Sequence, residues 1–258
     1  MKNEEMNLRT ASDDYQFLLH DPKRKYEYDV KAVDRRLSYS LVKPSFVVCD
    51  VGGAKGVDSF PFAKFCALTI DVDIDGFALK NAKEYAKKLG LNSKICFIKA
   101  SATELPLKSE SLDMITCFSV LDHLPNKPSA YKAIGEFSRA IRRFCYVVIT
   151  VPNKLFLIGT VAMKANSLTN PNLFFEQRFT PKELWKVLTS SKLEPLVFDS
   201  EYPISVGSGI LDHFPRLFKK MPRFMDFLVV MSKIFRWLKP VSCVKLFGAR
   251  TGYLSQKR

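Results

Sequence analysis

The chain has 258 residues, 47% hydrophobic and 26% charged, which supports one sizeable core and excludes both wholesale disorder and an integral membrane fold. The 40 Lys and Arg against 26 Asp and Glu give a net charge of +14, which favours approach to nucleic acid, anionic lipid or an acidic partner without choosing among them. No run reaches the roughly 18 uncharged apolar residues of a spanning helix; the nearest, Phe224–Leu238, is broken by Asp226, Lys233 and Arg236.

In chain order, the segment 1–45 reads as charged helix. Its start lacks the apolar stretch of a secretory signal, so the expectation is a cytoplasmic protein. Five strands are then predicted as apolar runs of the kind buried on both faces of a parallel sheet: Phe46–Val51, Ala67–Asp73, Ile95–Lys99, Met114–Phe118 and Cys145–Val151. Helical spacing over Gly76–Leu89, closed by Gly90, and over Pro128–Ile141 supplies crossovers between them. Thr180-Pro181-Lys182-Glu183 reads as a capping-box helix start, followed by a candidate strand Leu196–Asp199 and a last strand Leu246–Ser255. Pro61 requires the first helix to begin near Ser59. The expected division of a single domain, 1–258, is an N-terminal helical segment 1–45, a core 46–200, a basic helical insertion 201–245 and a last strand and tail 246–258.

Six cysteines (Cys49, Cys66, Cys96, Cys117, Cys145 and Cys243) are spaced singly. They read as reduced core residues, and no C-x-x-C pair suggests a metal.

The first strand runs into Asp50-Val51-Gly52-Gly53-Ala54-Lys55-Gly56, a turn in which glycines let the backbone bend tightly and approach a ligand. It does not meet the dinucleotide pattern G-x-G-x-x-G, because Ala54 and Val57 take the other glycine positions. Asp50 at the strand end would repel a pyrophosphate and attract an ammonium group. S-adenosylmethionine offers such an ammonium, together with ribose hydroxyls that want a carboxylate acceptor. Asp73, 21 positions after Gly52 and close to the roughly 20-residue offset of a ribose-binding acid, is that acceptor. Asp71 is its rival on the same strand face, and Asp73 is favoured because it stands nearer the carboxyl end.

These residues resemble the class I S-adenosylmethionine-dependent methyltransferases, particularly the branch of ubiquinone and menaquinone biosynthesis, over about residues 28–200. Asp50-x-Gly52-x-Ala54-x-Gly56 is similar to the family's D-x-G-x-G-x-G motif, with Ala54 at the middle glycine. The resemblance implies that Asp73 holds the ribose and that Ile74 flanks the adenine. It further implies that Ser101, with Ala102, stands where a family aspartate accepts from the adenine amino group. Phe118–Leu124 resembles a segment closing over the cofactor, with Ser119 and Val120 lining the pocket. Val151-Pro152-Asn153 and Phe175–Thr180 also follow the branch pattern. The fold implied is a Rossmann-like α/β sandwich: a seven-stranded, mostly parallel sheet of order 3-2-1-4-5-7-6, its last strand antiparallel, with helices on both faces and a helical insertion before the last strand.

A sulfonium methyl is already activated, so methyl transfer depends mainly on alignment and exclusion of water. Where the acceptor must lose a proton, His123 is the candidate base with Asp122 beside it. The alternative is that both only shape the pocket. His20 and His213 read as ordinary surface residues. Phe156–Phe175, with Met163, Phe174 and Phe175 as an apolar wall, and the insertion after Pro203 are expected to build the acceptor site. Within Phe214–Lys245, Arg216, Lys219, Lys220, Arg223, Lys233, Arg236, Lys239 and Lys245 face Asp226 alone. This composition suits either an anionic membrane surface, making the protein peripheral, or a lid with a solvated basic face. The functional expectation is methylation of a small, apolar or lipid-like acceptor such as a quinone. RNA methylation, with no RNA-binding module to support it, and a catalytically silent cofactor-binding or scaffold subunit are the alternatives.

Overall fold

A computed structural model describes residues 37–39, 41–156, 177–201, 246 and 250–258. The expectations for most of 1–45, for 157–176 and for the basic insertion, with His20, His213 and Cys243, lie outside the described residues.

The elements in order are β1 (Val47–Val51), α1 (Ser59–Phe65), β2 (Leu68–Asp73), α2 (Gly76–Lys88), β3 (Ile95–Lys99), β4 (Leu112–Phe118), a 3-10 turn (Leu121–His123), α3 (Lys127–Ala140), β5 (Ile141–Pro152), α4 (Pro181–Ser190), β6 (Leu193–Glu201) and β7 (Arg250–Lys257). They form one seven-stranded sheet of order β3-β2-β1-β4-β5-β7-β6. β7 runs antiparallel between β5 and β6, and the other neighbours are parallel.

Strand alternation sorts the core onto two faces. Val48 and Met114 pack with Phe62 of α1 and with Tyr39, whose ring meets Phe62 edge-on at 5.4 Å. Cys49, Ile115 and Cys117 point the other way, against Ala133, Ile134 and Phe137 of α3 and Leu184 and Leu188 of α4. α1 and α2 join through Phe60, Ala63, Ala82 and Ala86.

Each helix start has a local cause. Asp75 caps α2 by accepting from the Phe77 and Ala78 N–H groups, and Asn126 caps α3 by accepting from Ser129 N–H. Thr180 and Glu183 form the expected reciprocal capping box on α4. α1 begins at Ser59, which leaves Pro61 in the first turn, where its missing N–H costs nothing.

Four strands depart from their expected bounds by more than one residue: β4, β5 and β6 run longer, β4 from Leu112, whereas β7 is displaced from the expected Leu246–Ser255 to Arg250–Lys257, with Leu246 in a turn. β5 starts at Ile141, where Arg142, Arg143 and Phe144 are exposed beyond the covering helices. β7 continues through Gln256 and Lys257, which pair with Tyr146 and Leu193. β6 spans Leu193–Glu201. Of the cysteines, Cys49, Cys66 and Cys117 are buried as expected, but Cys96 is exposed and Cys145 intermediate. Cys96 lies on β3, one of the two edge strands of the sheet among the described residues.

β1 pairs with β2 on one side and β4 on the other, so the order of connection reverses there. This reversal leaves a crevice above the carboxyl ends of β1 and β4, the place where open α/β sheets bind ligands.

Candidate functional site

The crevice begins with the turn after β1. Gly52 N–H donates to Val72 O at 2.6 Å, extending the β1–β2 pairing by one residue. Gly52 has φ +79°, and a Cβ there would stand 2.1 Å from Val120 Cγ2. Gly53 lies directly over the Asp71 side chain, where a Cβ would come within 2.4–2.6 Å of three carboxylate atoms. Both positions therefore admit only glycine without rearrangement, because the loop is clamped between β2 and the turn after β4. Gly56 N–H closes the loop onto Gly53 O at 2.8 Å, and Gly56 O receives Phe60 N–H to start α1.

Ala54, at the middle glycine position, adopts φ +49°. A left-handed alanine costs about 1–2 kcal/mol. Its N–H donates to Asp73 Oδ2 at 2.9 Å, a bond to a carboxylate of the size that offsets the cost. Asp73 Oδ1 receives Asp75 N–H at 2.8 Å, so the carboxylate is aimed from both sides while remaining half-exposed at the strand end. Ile74 follows with 72% of its surface in water, a large aliphatic side chain left uncovered at the lip of the crevice.

Ser101 and Ala102 lie after β3. Ser101 Oγ is 2.9 Å from Thr103 Oγ1 and receives Thr103 N–H at 3.2 Å, so its hydroxyl is partly committed to its own turn. Ala102 is buried in the core cluster that also holds Leu105.

The opposite wall is the turn after β4. Ser119 has φ +53°, and its N–H donates to Thr150 O at 3.0 Å. Arg250, the first residue of β7, donates from one terminal nitrogen to Ser119 Oγ at 2.7 Å and to Thr150 Oγ1 at 2.9 Å. His123 closes the 3-10 turn, its N–H donating to Val120 O at 3.0 Å. Its imidazole is 44% exposed, with Nε2 3.5 Å from Oδ2 of the buried Asp122. Gln177 seals the turn from outside, its N–H on Asp122 O at 2.7 Å and its amide on Leu121 O and Leu124 O. Lys127 ties the start of α3 to α4 through Glu183 at 2.9 Å and stands over the Phe179 ring.

Beneath the glycine turn lies a pair of buried acids. Asp50 and Asp71 are register partners on β1 and β2, 2% and 0% exposed. Ser59 Oγ is 2.7 Å from Asp50 Oδ2 and 2.9 Å from Asp71 Oδ2, and Thr116 Oγ1 donates to Asp50 Oδ1 at 2.8 Å. Burial first, and then the Asp50 charge, push the Asp71 carboxyl up to about 8. The same burial raises the thiols of Cys49 and Cys117.

Hydroxyls engage both oxygens of the buried Asp50, which stands two residues before Gly52. Contacts join part of the expected set: Ala54 N–H meets Asp73, Ala100 N–H before Ser101 donates to Asp73 O at 3.0 Å, and Gly52 packs against Val120, which lies between Ser119 and the Leu121–His123 turn. Sequence reasoning missed Ser59, Thr116, Arg250 and the burial of Asp71. Only Asp71 carried a signal, as the second acid on one strand face.

The residues present fit an adenosyl group. The Asp73 carboxylate can accept from a ribose diol, the exposed Ile74 offers an apolar face to a purine ring, and Gly52 and Gly53 expose bare backbone to a ligand.

A family model described as a methyltransferase domain matches residues 43–196. The chain is similar to the ubiquinone biosynthesis O-methyltransferase of Nitrosospira multiformis, 25% identical over 151 residues, covering 57% of this chain and 62% of that protein. It is also similar to the ubiquinone/menaquinone biosynthesis C-methyltransferase of Brucella anthropi, 30% identical over 103 residues, covering 39% and 38%. The match thus spans less than two thirds of either relative's length. Among solved structures, the magnesium protoporphyrin IX methyltransferase of Synechocystis shares the fold with a TM-score of 0.60 at 16% identity, covering 90% of this chain and 84% of that one.

Proposed function

The chain belongs to the methyltransferase-domain family, and we propose that it transfers the methyl group of S-adenosylmethionine to a small, apolar or lipid-like acceptor such as a quinone. The observation that carries the cofactor half of this reading is the Asp73–Ile74 lip, where a doubly oriented carboxylate stands beside an uncovered aliphatic side chain across from the glycine turn. The bound cofactor would supply a methyl already activated on a positively charged sulfur.

The chain's own residues then have defined tasks. Asp73 accepts from the ribose hydroxyls and Ile74 covers the purine. Ser101 accepts from its amino group, Ala102 presents backbone, and Ser119 and Val120 border the transferred methyl. Asp122 and His123 stand at the acceptor side, where the half-exposed imidazole takes the proton of a hydroxyl or acidic carbon acceptor, or shapes the pocket for an acceptor that needs no base. Alignment and exclusion of water supply most of the acceleration for a leaving group this good.

Support for the acceptor class comes from the names of the two quinone-biosynthesis relatives and from the basic, aromatic composition of 214–245, which suits an anionic membrane surface. Among the described residues no helix is long and apolar enough to cross a membrane.

The test incubates the full chain with methyl-labelled S-adenosylmethionine and cell extract, then counts label in lipid, RNA, protein and water-soluble fractions, with Asp73→Ala as control. Label in lipid that is lost in the variant supports the reading. Label in RNA replaces the acceptor class with nucleic acid, and failure to bind the cofactor in a calorimetric titration identifies a silent fold.

A further inference from the structure

Ser59 sits between two buried carboxylates, and its hydroxyl carries a single proton. It lies within hydrogen-bond distance of Asp50 Oδ2 and Asp71 Oδ2 together, at 2.7 and 2.9 Å, but can donate to only one of them. The other acid must carry a proton of its own and donate it to Ser59 Oγ. Thr116 indicates which: its donation to Asp50 Oδ1 at 2.8 Å gives Asp50 the donors of an ionised carboxylate on both oxygens. Asp71 has Ser59 on Oδ2 and, among the described residues, no hydrogen-bond partner on its buried Oδ1. The proton therefore belongs on Asp71 Oδ2, and the chain of donation runs from Asp71 through Ser59 to Asp50.

The unpartnered Asp71 Oδ1 is the atom on which the glycine turn rests. A carbon added at Gly53 would stand 2.4 Å from it. We propose that Asp71 is a positioning residue of the cofactor turn, acting as a neutral acid on which Gly53 lies, and that its ionisation displaces the turn and weakens cofactor binding. This rests on the reading that the turn holds S-adenosylmethionine.

Among the described residues, burial and then the Asp50 charge raise the Asp71 carboxyl, and they outweigh the lowering by the Ser59 hydroxyl. The groups that face Asp71 are Cys49 and Asp50 on β1, Ser59 on α1 and Asp73 further along β2, while β3 presents Phe97 as its register partner. Asp58, also buried, precedes α1. Two carboxylates sharing one hydroxyl proton repel, and the covering that can yield to admit water is the Gly52–Ala54 turn. The raised carboxyl of Asp71 puts this event on the alkaline side of neutrality.

The test follows the full-length, isotope-labelled protein by NMR through a pH titration, reading the Asp71 carboxyl carbon and the Gly52, Gly53 and Ala54 amides, with S-adenosylhomocysteine affinity measured at each pH. Asp71→Asn keeps a donor toward Ser59 and has no proton to lose. The expected result is a carboxyl carbon in its neutral form at neutral pH, turn amides that move with its midpoint, and an affinity falling about tenfold per pH unit above that midpoint. In Asp71→Asn all of these pH-linked changes are absent. A carboxyl already ionised at neutral pH, or turn amides that ignore its titration, overturns the proposal; the wild-type titration alone decides this if the variant does not fold. Turn amides that follow Asp71 while no cofactor binds at any pH support the positioning of the turn by Asp71 and overturn its link to cofactor binding, together with the methyltransferase reading.

Discussion

Arg250 reaches across 131 residues of sequence to donate to Ser119 Oγ at 2.7 Å, and the same nitrogen holds Thr150 Oγ1. The guanidinium thereby fastens the turn after β4 to β5 and β7 at a residue with a left-handed backbone, Ser119 at φ +53°.

Removing that fastening should affect stability and site together. Arg250→Ala forfeits hydrogen bonds from a charged donor worth about 1.5–3 kcal/mol and leaves Ser119 without its support. The expected outcome is a lower melting temperature with S-adenosylhomocysteine affinity weakened several-fold. Arg250→Lys should recover part of the melting temperature, because an ammonium keeps the charge without the planar fork. Unchanged affinity in Arg250→Ala would show that Ser119 holds its conformation without the guanidinium.

Asp73 has two tasks that a cofactor analogue can separate. It orients Ala54 and Asp75 through their N–H groups, and it is the proposed ribose acceptor. Asp73→Ala should weaken binding of S-adenosylhomocysteine by roughly 10- to 100-fold, the equivalent of about 1.5–3 kcal/mol. An analogue lacking both ribose hydroxyls should discriminate far less between wild type and variant in calorimetric titration. Equal losses with both ligands would assign the whole effect to the loop.

How far such roles are legible in the sequence depends on how local their causes are. β1, β2 and β4 announce themselves because both faces of each are covered, which makes Val48, Cys49, Val72, Ile115 and Cys117 part of continuous apolar runs. β5 reads short because Arg142 and Arg143 lie at a strand end that passes beyond the helices, and the polar Gln256 and Lys257 hide the true end of β7 in the same way. The strand end and the offset from the glycines single out Asp73, and the family resemblance adds Ile74. The same offset can rank Asp71 below Asp73, but it cannot reveal that a serine of the next helix comes up beneath both Asp50 and Asp71. Arg250 has no local signal, since its place is created by insertion of β7 between β5 and β6.

Gly53 is constrained by space alone. A methyl group there meets Asp71 Oδ1, Cγ and Oδ2 at 2.4–2.6 Å, so Gly53→Ala should cost about 1–3 kcal/mol in chemical denaturation. Adding Asp71→Ala removes the obstructing atoms, and the double variant should be more stable than the sum of the two single effects by at least about 1 kcal/mol. Gly52→Ala is the contrast. There the obstacle is Val120 Cγ2 and φ is +79°, so Asp71→Ala should not rescue it. Additivity in the Gly53 pair would mean that the turn moves away from Asp71 at little cost.

The pH dependence of stability separates Asp71 from the ordinary carboxylates by its sign. Its folded carboxyl is raised from 3.8 to about 8, so between those values the native chain holds a proton that the unfolded chain has released. Its contribution is therefore complete below the unfolded value and is lost as pH rises through the folded one, at a slope of at most about 1.4 kcal/mol per pH unit. Glu136 acts in the opposite direction. Its hydrogen bond with Arg139 lowers its carboxyl from 4.5, so its contribution is present above that value and fades as pH falls. The thiol of Cys66, raised by burial to about 12, adds a further loss only in strong alkali. Melting temperatures measured across this range should thus fall from the mildly acidic side toward pH 8, with a separate acid limb. In Asp71→Asn the fall between should flatten while the acid limb of Glu136 persists. A wild-type melting temperature that rises steadily toward pH 8 would mean that Asp71 is ionised in the fold, and that Ser59 bridges two charges rather than an acid and its conjugate partner.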